Sequence, residues 1–239
     1  DYTYNHESLG SFKNYKLSIL TVSAQLSPFS KFEQTSSGIV ETTSGFPKFT
    51  LQYTKSFADI LKSDFGFSKI DFRAIQQFKH QKEALTEFVF TSGLANGDIP
   101  ITHNYHAYPN NVSTETILRR FSVAGTNSFE TMYFNEFYSD KFATLQMKHK
   151  LNPINISPWL KPELVLIYRY ALGKMENLAR HENINFGTLE QGYSEAGLEI
   201  NKLFFGFGLS FAYRHGPYHL PRFDDNLALK FTFNLNLNR

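Results

Sequence analysis

Serine, histidine and acidic side chains are the residues of this sequence with the most obvious capacity for catalysis. Ser92, Asp98 and His103 lie close together along the chain, and His181 follows far downstream. A serine nucleophile needs a histidine base within hydrogen-bond reach and an acid that orients the base. No spacing ties these four residues together. They define an alternative hypothesis, a lipase- or protease-type enzyme with catalysis at the rim of a barrel, and not a predicted active site.

Two histidine pairs have spacings that occur in metal sites, namely His103 with His106 and His215 with His219. Histidines four apart share a metal when they lie on one face of a helix. The His-Gly-Pro sequence at 215–217 cannot begin a regular helix, and both pairs fall in polar segments. The sequence has no cysteine and no G-x-S-x-G, P-loop, H-E-x-x-H or G-x-G-x-x-G motif. We therefore predict a non-enzymatic protein with no catalytic residues, no metal site and no cofactor.

Charged side chains recur instead on one parity of segments that alternate between apolar and polar residues. A period of two is the side-chain period of a β-strand, so these charges share one face of each predicted strand. The predicted inward-facing, lumen residues are Asp71, Arg73, Arg169, Glu195, Glu199, Arg214 and Lys230. One interpretation is a lumen that binds or conducts a polar solute. The interpretation that we favour is a structural charge network that fills a narrow barrel.

Large apolar residues occupy the opposite parity, most clearly in the last part of the chain. The alternating runs there extend over roughly 12 residues, slightly more than the 9–11 that a tilted strand needs to cross a bilayer. The opposite face carries Gly, Thr, Asn and Lys, which suits a wet lumen better than a second packed sheet. The predicted lipid-facing residues are Leu203, Phe205, Phe207, Leu209, Phe211, Leu229, Phe231, Phe233 and Leu235.

The whole chain reads as about ten strands, which predicts an all-β fold, an antiparallel transmembrane β-barrel or part of a larger one. Residues 1–14 form a polar N-terminal segment, either poorly ordered or a connection from an upstream part. Residues 15–239 form the barrel, with a long loop insertion at 95–140 and a short helix near 114–121. The predicted strands include 15–26, 32–42 and 203–214, the last of which follows a two-residue link at 201–202.

Connection lengths separate the membrane barrel from its main alternative, a soluble β-sandwich. The links at 43–47, 79–82, 152–161 and 201–202 are mostly short, whereas the alternate links at 58–65, 95–137, 175–191 and 215–225 are mostly longer. Outer-membrane barrels have short periplasmic turns and longer outer loops, and a sandwich has no reason to sort loops by length. This sorting favours the barrel.

Composition limits the remaining function classes. The 239 residues have a formal net charge of +2, which gives no electrostatic footprint for nucleic acid. Mean hydropathy is −0.33, and no segment approaches the ~20 apolar residues of a spanning helix. Aromatic residues make up 16% of the chain, as expected for interfacial girdles in a barrel.

Several segments resemble a known family. They are SGFPKFTLQYTKSF, SDFGFSKIDFRAIQQF, GLANGDIP, SFETMYFNEFYSDKFATLQMKHKL and GLEINKLFFGFGLSFAYR. They are similar to the C-terminal β-barrel region of Bacteroidota outer-membrane proteins that carry an N-terminal carboxypeptidase-regulatory-like domain and are distantly BamA/TamA-like. The upstream domain is absent from this chain. The Arg-Gly-Tyr type loop motif of the BamA relatives is also missing, so no residue supports an insertase activity.

The resemblance and the strand pattern together imply an integral protein of the bacterial outer membrane. Its expected role is envelope assembly, translocation or the scaffolding of partner proteins. The expected partners are outer-membrane lipid and proteins of an envelope complex, with no nucleic acid. A passive pore for small polar solutes and the barrel enzyme described above are the alternatives.

Overall fold

The computed structural model describes residues 2–111, 122–157, 159–204 and 206–233. Regular structure in these ranges is β, apart from short 3₁₀ turns at Ile60–Lys62, Ile101–His103, Leu178–Arg180 and Phe223–Asn226. The strands are β1 Thr3–His6, β2 Gly10–Phe12, β3 Ile19–Leu26, β4 Lys31–Thr35, β5 Gly38–Thr43, β6 Lys48–Ser56, β7 Phe67–Lys79, β8 Leu85–Gly97, β9 Pro109–Asn111, β10 Ser122–Val123, β11 Phe129–Tyr133, β12 Lys141–Lys150, β13 Glu163–Lys174, β14 His181–Glu182, β15 Leu189–Phe204, β16 Phe207–His215 and β17 Leu227–Phe233. The predicted all-β class is confirmed. The predicted helix near 114–121, Phe205 and Leu235 lie outside the described residues.

One large sheet dominates the fold. Its strand order is β10-β17-β16-β15-β13-β12-β8-β7-β6-β3, and each long strand pairs antiparallel with its neighbours. The two-residue strand β10 adds to β17 in parallel. Neighbours in the sheet follow one another along the chain, as in a meander. Within the described residues the sheet is open, with β3 and β10 as its outermost strands.

The pleat of this sheet separates two faces. Leu145 on β12 lies opposite Phe90 on β8 and Tyr170 on β13, and these side chains define the outer face. The next residue, Gln146, lies opposite Arg169 and belongs to the inner face. Successive residues point to opposite faces, so the alternation seen in the sequence becomes a difference between two surfaces.

The sheet also has two ends, which we name by their connections. The insertion end carries the connections 57–66, 98–140, 175–188 and 216–226. The hairpin end carries 27–47, 80–84, 151–162 and 205–206. Length sorts only partly by end, because the connection 27–47 contains β4 and β5 and the connection 151–162 is longer than 57–66 and 216–226.

The prediction of a strand across 32–42 is wrong, and with it the count of ten long strands. Residues 31–43 form a separate hairpin, β4 with β5, that is exposed along its length. In the part of the chain that the structure describes, nine long strands build the sheet. The chain reverses at Ser36-Ser37-Gly38, where Gly38 has a φ of 126°. Glycine adopts this conformation without a steric penalty, so a turn forms where periodicity alone suggested continuity.

The predicted link at 201–202 is also wrong. Strand β15 continues through these residues to Phe204, with a bulge between Ile200 and Phe204 where Lys202 has a φ of 58°. Leu203 therefore belongs to β15 and not to the next strand. The bulge brings β15 close to β16, because a Cβ built on Gly208 would lie 2.3 Å from the carbonyl oxygen of Ile200.

Strands form within the polar N-terminal segment, so the expectation that it is poorly ordered is wrong, whereas the alternative that it connects to an upstream part stays a prediction. Strands β1 and β2 form a three-stranded sheet with β14 at the insertion end. Tyr4 is buried, and its ring meets that of Phe65 at a centroid distance of 4.8 Å. Strand pairing and aromatic packing thus fix a stretch whose composition suggested poor order.

The insertion begins at residue 98, because β8 continues to Gly97. Its strands β9 and β11 pair in parallel and pack on the inner face near the insertion end. The two apolar clusters of the described chain lie mainly between the insertion and this face, and they consist of Ala107, Phe129, Met132, Phe137, Ala171, Leu189 and Tyr193, and of Phe67, Ala95, Ile99, Tyr105 and Phe142. None of the described residues forms a helix that is long and apolar enough to span a membrane.

Candidate functional site

A buried carboxylate on the inner face fastens the insertion to the sheet. Glu195 on β15 pairs with Arg169 on β13, with 2.5 Å between Oε1 and Nη1, and both side chains are at most 1% exposed. The Glu195 carboxylate also accepts hydrogen bonds from the backbone amides of Glu130 and Thr131, each at 3.0 Å, and from Oγ1 of Thr131 at 2.6 Å. A buried ion pair is stable only when further hydrogen bonds satisfy its atoms. Strand β11 supplies those bonds to the carboxylate, whereas Nε and Nη2 of Arg169 have no hydrogen-bond partner among the described residues.

A buried lysine forms the second attachment. Nζ of Lys230 on β17 donates to the carbonyl oxygen of Asn110 at 2.7 Å, to Oδ1 of Asn111 at 2.8 Å and to Oγ of Ser122 at 2.8 Å. These acceptors belong to β9 and β10. The ammonium group is thus bound by both β9 and β10. The three acceptor oxygens take the place of the water molecules that a buried cation loses.

Arg214 on β16 makes the third attachment. Its Nη1 donates to Oε1 of Glu136 at 2.7 Å, and its guanidinium lies 4.8 Å from the ring centroid of Tyr193. Arginine is suited to such a position because its planar group pairs with a carboxylate and stacks on an aromatic ring. The insertion is therefore attached to three neighbouring strands, β15, β16 and β17, at this end of the sheet.

The insertion also holds itself together through Glu130. This carboxylate accepts hydrogen bonds from Nδ2 of Asn110 at 2.6 Å, from the Gly125 amide at 3.0 Å and from Oγ of Ser128 at 2.6 Å. Three donors compensate the loss of water around a charge that has no exposed surface. Burial is the main cause that raises the pKa of Glu130 above its usual value.

The remaining predicted inward residues, Asp71, Arg73 and Glu199, occupy the same face. Glu199 is buried and lies 3.8 Å from Nζ of Lys148 and 3.3 Å from Nδ2 of Asn201. Asp71 and Arg73 on β7 are half-buried and share their parity with the inner face. Nη2 of Arg73 lies 2.7 Å from the amide oxygen of Asn127 in the hydrogen-bonding orientation of that amide. The structure therefore brings at least five of the seven predicted charges, Arg73, Arg169, Glu195, Arg214 and Lys230, into contact with the insertion. That the space which they face is a lumen stays a prediction.

The outer face differs from the charged inner face, because it carries large apolar side chains that are exposed. Of the predicted lipid-facing residues, Phe207, Phe211, Phe231 and Phe233 are 40–52% exposed, and Leu209 and Leu229 are half-buried beside them. Leu203 lies in the irregular end of β15. The exposed apolar set extends over almost all the long strands and comprises Leu20, Val22, Leu26, Leu51, Tyr53, Ile70, Phe90, Leu94, Leu145, Leu166, Tyr168, Leu172, Phe207, Phe211, Phe231 and Phe233. Contact of this surface with lipid stays a prediction.

Polar residues bound this outer surface at both ends of the sheet. Lys141 and Lys174 lie opposite each other at the insertion end. At the hairpin end Oγ1 of Thr86 lies 2.7 Å from Nε2 of His80 and 2.8 Å from Nδ1 of His149. An apolar band with polar margins is the arrangement that a bilayer requires of an embedded sheet.

A polar cluster at the insertion end surrounds His181. Its Nδ1 lies 2.8 Å from the Tyr2 hydroxyl, and its Nε2 lies 3.4 Å from Nδ2 of Asn104. Burial, with a smaller contribution from the charge of Arg180, lowers the pKa of His181 to about 4. The neighbouring cavity, lined also by Tyr4, has a volume of about 30 Å³, which is room for about one water molecule.

The four residues of the enzyme hypothesis do not assemble. Ser92 is paired with Phe72 and Ala143 and lies on the outer face. Asp98 is bound by Nε2 of His6 at 3.2 Å and by Nη1 of Arg180 at 2.9 Å. Nδ1 of His103 lies 3.0 Å from Oγ1 of Thr102. Across residues 2–111, 122–157, 159–204 and 206–233, no group of three or more His, Cys, Asp or Glu side chains is placed to hold a metal ion.

The sequence did not identify the residues of the insertion that bind the inward-facing charges, namely Asn111, Ser122, Glu130, Thr131 and Glu136. Their segment was read as a polar loop because it does not alternate. A usable signal was present, since SFETMYFNEF places two glutamates among aromatic residues. Buried inward arginines and a lysine require acceptors, and acids in an apolar context are the obvious source.

One known family matches most of the chain. The profile described as "Family of unknown function (DUF5686) C-terminal domain" matches residues 1–170 of the 239. The chain belongs to this family. The DUF5686 match includes the entire insertion and Arg169, whereas Glu195, Arg214 and Lys230 lie beyond it. A search of curated proteins found no match, and neither did a search of solved structures.

Proposed function

We propose that this DUF5686 chain is the membrane-embedded part of an outer-membrane protein, with its strands forming a transmembrane β-barrel or a section of one. The observation that carries the proposal is the continuous exposed apolar outer face. Soluble monomers rarely expose contiguous apolar patches beyond a few hundred Å². Hydrocarbon is the solvent in which such a surface is at its most stable.

The dimensions of the outer face support the same proposal. On β13 the outer-face residues from Leu164 to Leu172 are all Leu or Tyr, and Lys174 follows. Eight steps of ~3.4 Å give a run of about 27 Å, which a tilt of ~40° reduces to about 21 Å of depth. This depth is close to the apolar band of ~25 Å that is typical of outer-membrane barrels.

The role that we propose is structural, in envelope assembly or translocation or as a scaffold for partner proteins. The buried attachments of the insertion support this role over a passive pore, because they fill the inner face where an open channel would require water. They also favour it over a rim enzyme, since Ser92, Asp98 and His103 have separate partners.

Detergent extraction and gel migration test the proposal. We expect the protein to fractionate with outer membranes and to change its migration on heating, as a sheet protected by detergent unfolds only when boiled. A variant with Pro at Gln146, in the middle of β12, is the control and should lose the heat-sensitive form. A protein that is monomeric and stable in buffer without detergent would refute the proposal. Steady single-channel conductance in planar bilayers would favour a pore instead.

A further inference from the structure

The free edge of β3 is the feature of the sheet that the proposed function leaves unexplained. Among the described residues, β3 pairs with β6 on one side and with no strand on the other. All eight residues of β3 are exposed. On one parity the strand carries apolar Leu20 and Val22, which continue the outer face, and on the other it carries polar residues such as Ser23.

The hydrogen-bond phase of β3 identifies the groups at this edge. The Phe57 amide donates to the carbonyl oxygen of Ser18 at 3.2 Å. Because hydrogen-bonded pairs alternate along an antiparallel ladder, the backbone groups of Leu20 and Val22 point toward β6, and those of Thr21, Ser23 and Gln25 point to the open edge. If β3 lies in hydrocarbon, as the proposed function requires, these groups need partners, because lipid offers none.

Strand direction argues against a simple closure of the sheet on itself. Eight successive antiparallel pairings connect β3 to β17, so these two strands run in the same direction. A β3–β17 contact would be a parallel pair within a sheet whose long strands are all antiparallel. Part of the β17 edge is also occupied, since Ser122 and Val123 pair with Lys230 and Phe231. An antiparallel closure requires an odd number of additional strands.

A second copy of the chain cannot supply the missing partner in a membrane. Antiparallel pairing of β3 with its own copy requires a two-fold axis perpendicular to the sheet. That axis lies in the membrane plane, so it would insert the second copy upside down. A two-fold axis along the strands would instead turn the polar inner face of the copy toward lipid.

We propose that β3 pairs with one further strand of the same polypeptide, which precedes β1 and runs antiparallel to β3. Such a strand starts at the hairpin end and finishes at the insertion end, where β1 and β2 lie against Phe65. The connection then stays on one side of the membrane, and consecutive strands become neighbours. Its side chains alternate, with apolar residues beside Leu20 and Val22 and small polar residues beside Thr21 and Ser23.

Amide hydrogen exchange tests this inference in the full-length polypeptide, isolated as a monomer in lipid nanodiscs. We expect the amides of Thr21, Ser23 and Gln25 to exchange roughly 100-fold or more slowly than that of Ser37, in the exposed turn between β4 and β5. The substitution Ser23→Pro removes one edge N–H and should abolish the heat-sensitive gel form. Ser23→Ala keeps the N–H and should leave that form intact.

The outcomes separate this inference from the proposed function on which it rests. Fast exchange of the three amides in an inserted monomer, together with tolerance of Ser23→Pro, overturns the inference alone. Equal protection in residues 1–239 without further sequence indicates parallel closure with β17 and also overturns it, as does protection that appears only when another protein is bound. Failure of the polypeptide to enter lipid overturns the proposed function, and this inference with it.

Discussion

Lysine substitutions along the outer side of β12 would reveal whether hydrocarbon contacts the sheet. Ala143, Leu145, Met147 and His149 follow one another on the outer face of this central strand. Leu145 is 42% exposed and lies between Phe90 and Tyr170, near the middle of the apolar band. His149 lies at the hairpin end, where the band gives way to polar side chains.

The two solvents predict different free-energy profiles for this series. A lysine near mid-bilayer costs about 2–4 kcal/mol and one near the interface about 0–1 kcal/mol. Four residues at ~3.4 Å, tilted by ~40°, place position 149 about 10 Å from position 145 in depth. We therefore expect Leu145→Lys to lower the folding equilibrium constant roughly 30- to 900-fold and His149→Lys to have little effect. In water both changes at this surface would stay within about 0.5 kcal/mol.

Reversible denaturant titration in lipid vesicles measures these free energies, with the form that resists unfolding on unheated gels as a second readout. Met147→Lys and Ala143→Lys, each two residues from Leu145, should both be intermediate. Substitution of Met147 and Leu145 by Gln gives the matched uncharged series. A flat profile, with Leu145→Lys as mild as His149→Lys, would refute the assignment of the outer face to lipid.

Three further predictions concern the attachments and the local geometry. Glu195→Gln should destabilise the protein by about 3–5 kcal/mol because it leaves Arg169 charged and buried. Limited proteolysis should then cut the insertion first. An insertion that stays protected from the protease would contradict its attachment through Glu195. His181 should make stability depend on pH, because its pKa is about 4 in the folded protein and ~6.5 when unfolded. The folded state resists protonation, so its contribution is complete above pH ~6.5 and falls by at most about 3 kcal/mol as the pH drops to ~4; denaturant midpoints of the protein and of His181→Asn should converge at low pH, and parallel pH profiles would refute this. Gly208→Ala should lower the free energy of unfolding by about 1–3 kcal/mol because the new Cβ would lie 2.3 Å from the Ile200 carbonyl oxygen. Gly66→Ala, whose nearest contact is at 3.4 Å, is the control and should be tolerated. Equal thermal midpoints of the two variants would count against the close approach of β15 to β16.

Alternation predicted the fold class well because it is a local property of each strand. The run Leu164 to Leu172 and the residues Phe207 to Tyr213 form strands in the sheet as expected. Wrong boundaries arose where backbone conformation decides and side chains do not. Gly38 and Lys202 adopt positive φ angles that turn or bulge the chain, and periodicity carries no information about either.

The charged interior was half predictable for a related reason. Arg169 and Glu195 could be found because a strand reports which residues share a face. Strand periodicity could not find Glu130 and Glu136, because their segment does not alternate and reaches the inner face only through tertiary contacts; only their apolar neighbours in the sequence pointed to burial. The buried position of Tyr4 is a similar case, since its packing on Phe65 depends on residues far away in sequence.

A spin-label scan along β13, from Leu164 to Leu172 in the reconstituted protein, tests the central claim most directly. The claim predicts a period of two, in which labels at Leu164, Leu166, Tyr168, Tyr170 and Leu172 collide often with dissolved oxygen and rarely with a polar nickel reagent. The intervening inner-face positions should show low accessibility to both reagents, because the insertion and the charge network cover them. Strong collision of the nickel reagent with labels at Leu166 and Tyr168 would place the outer face in water and contradict the account.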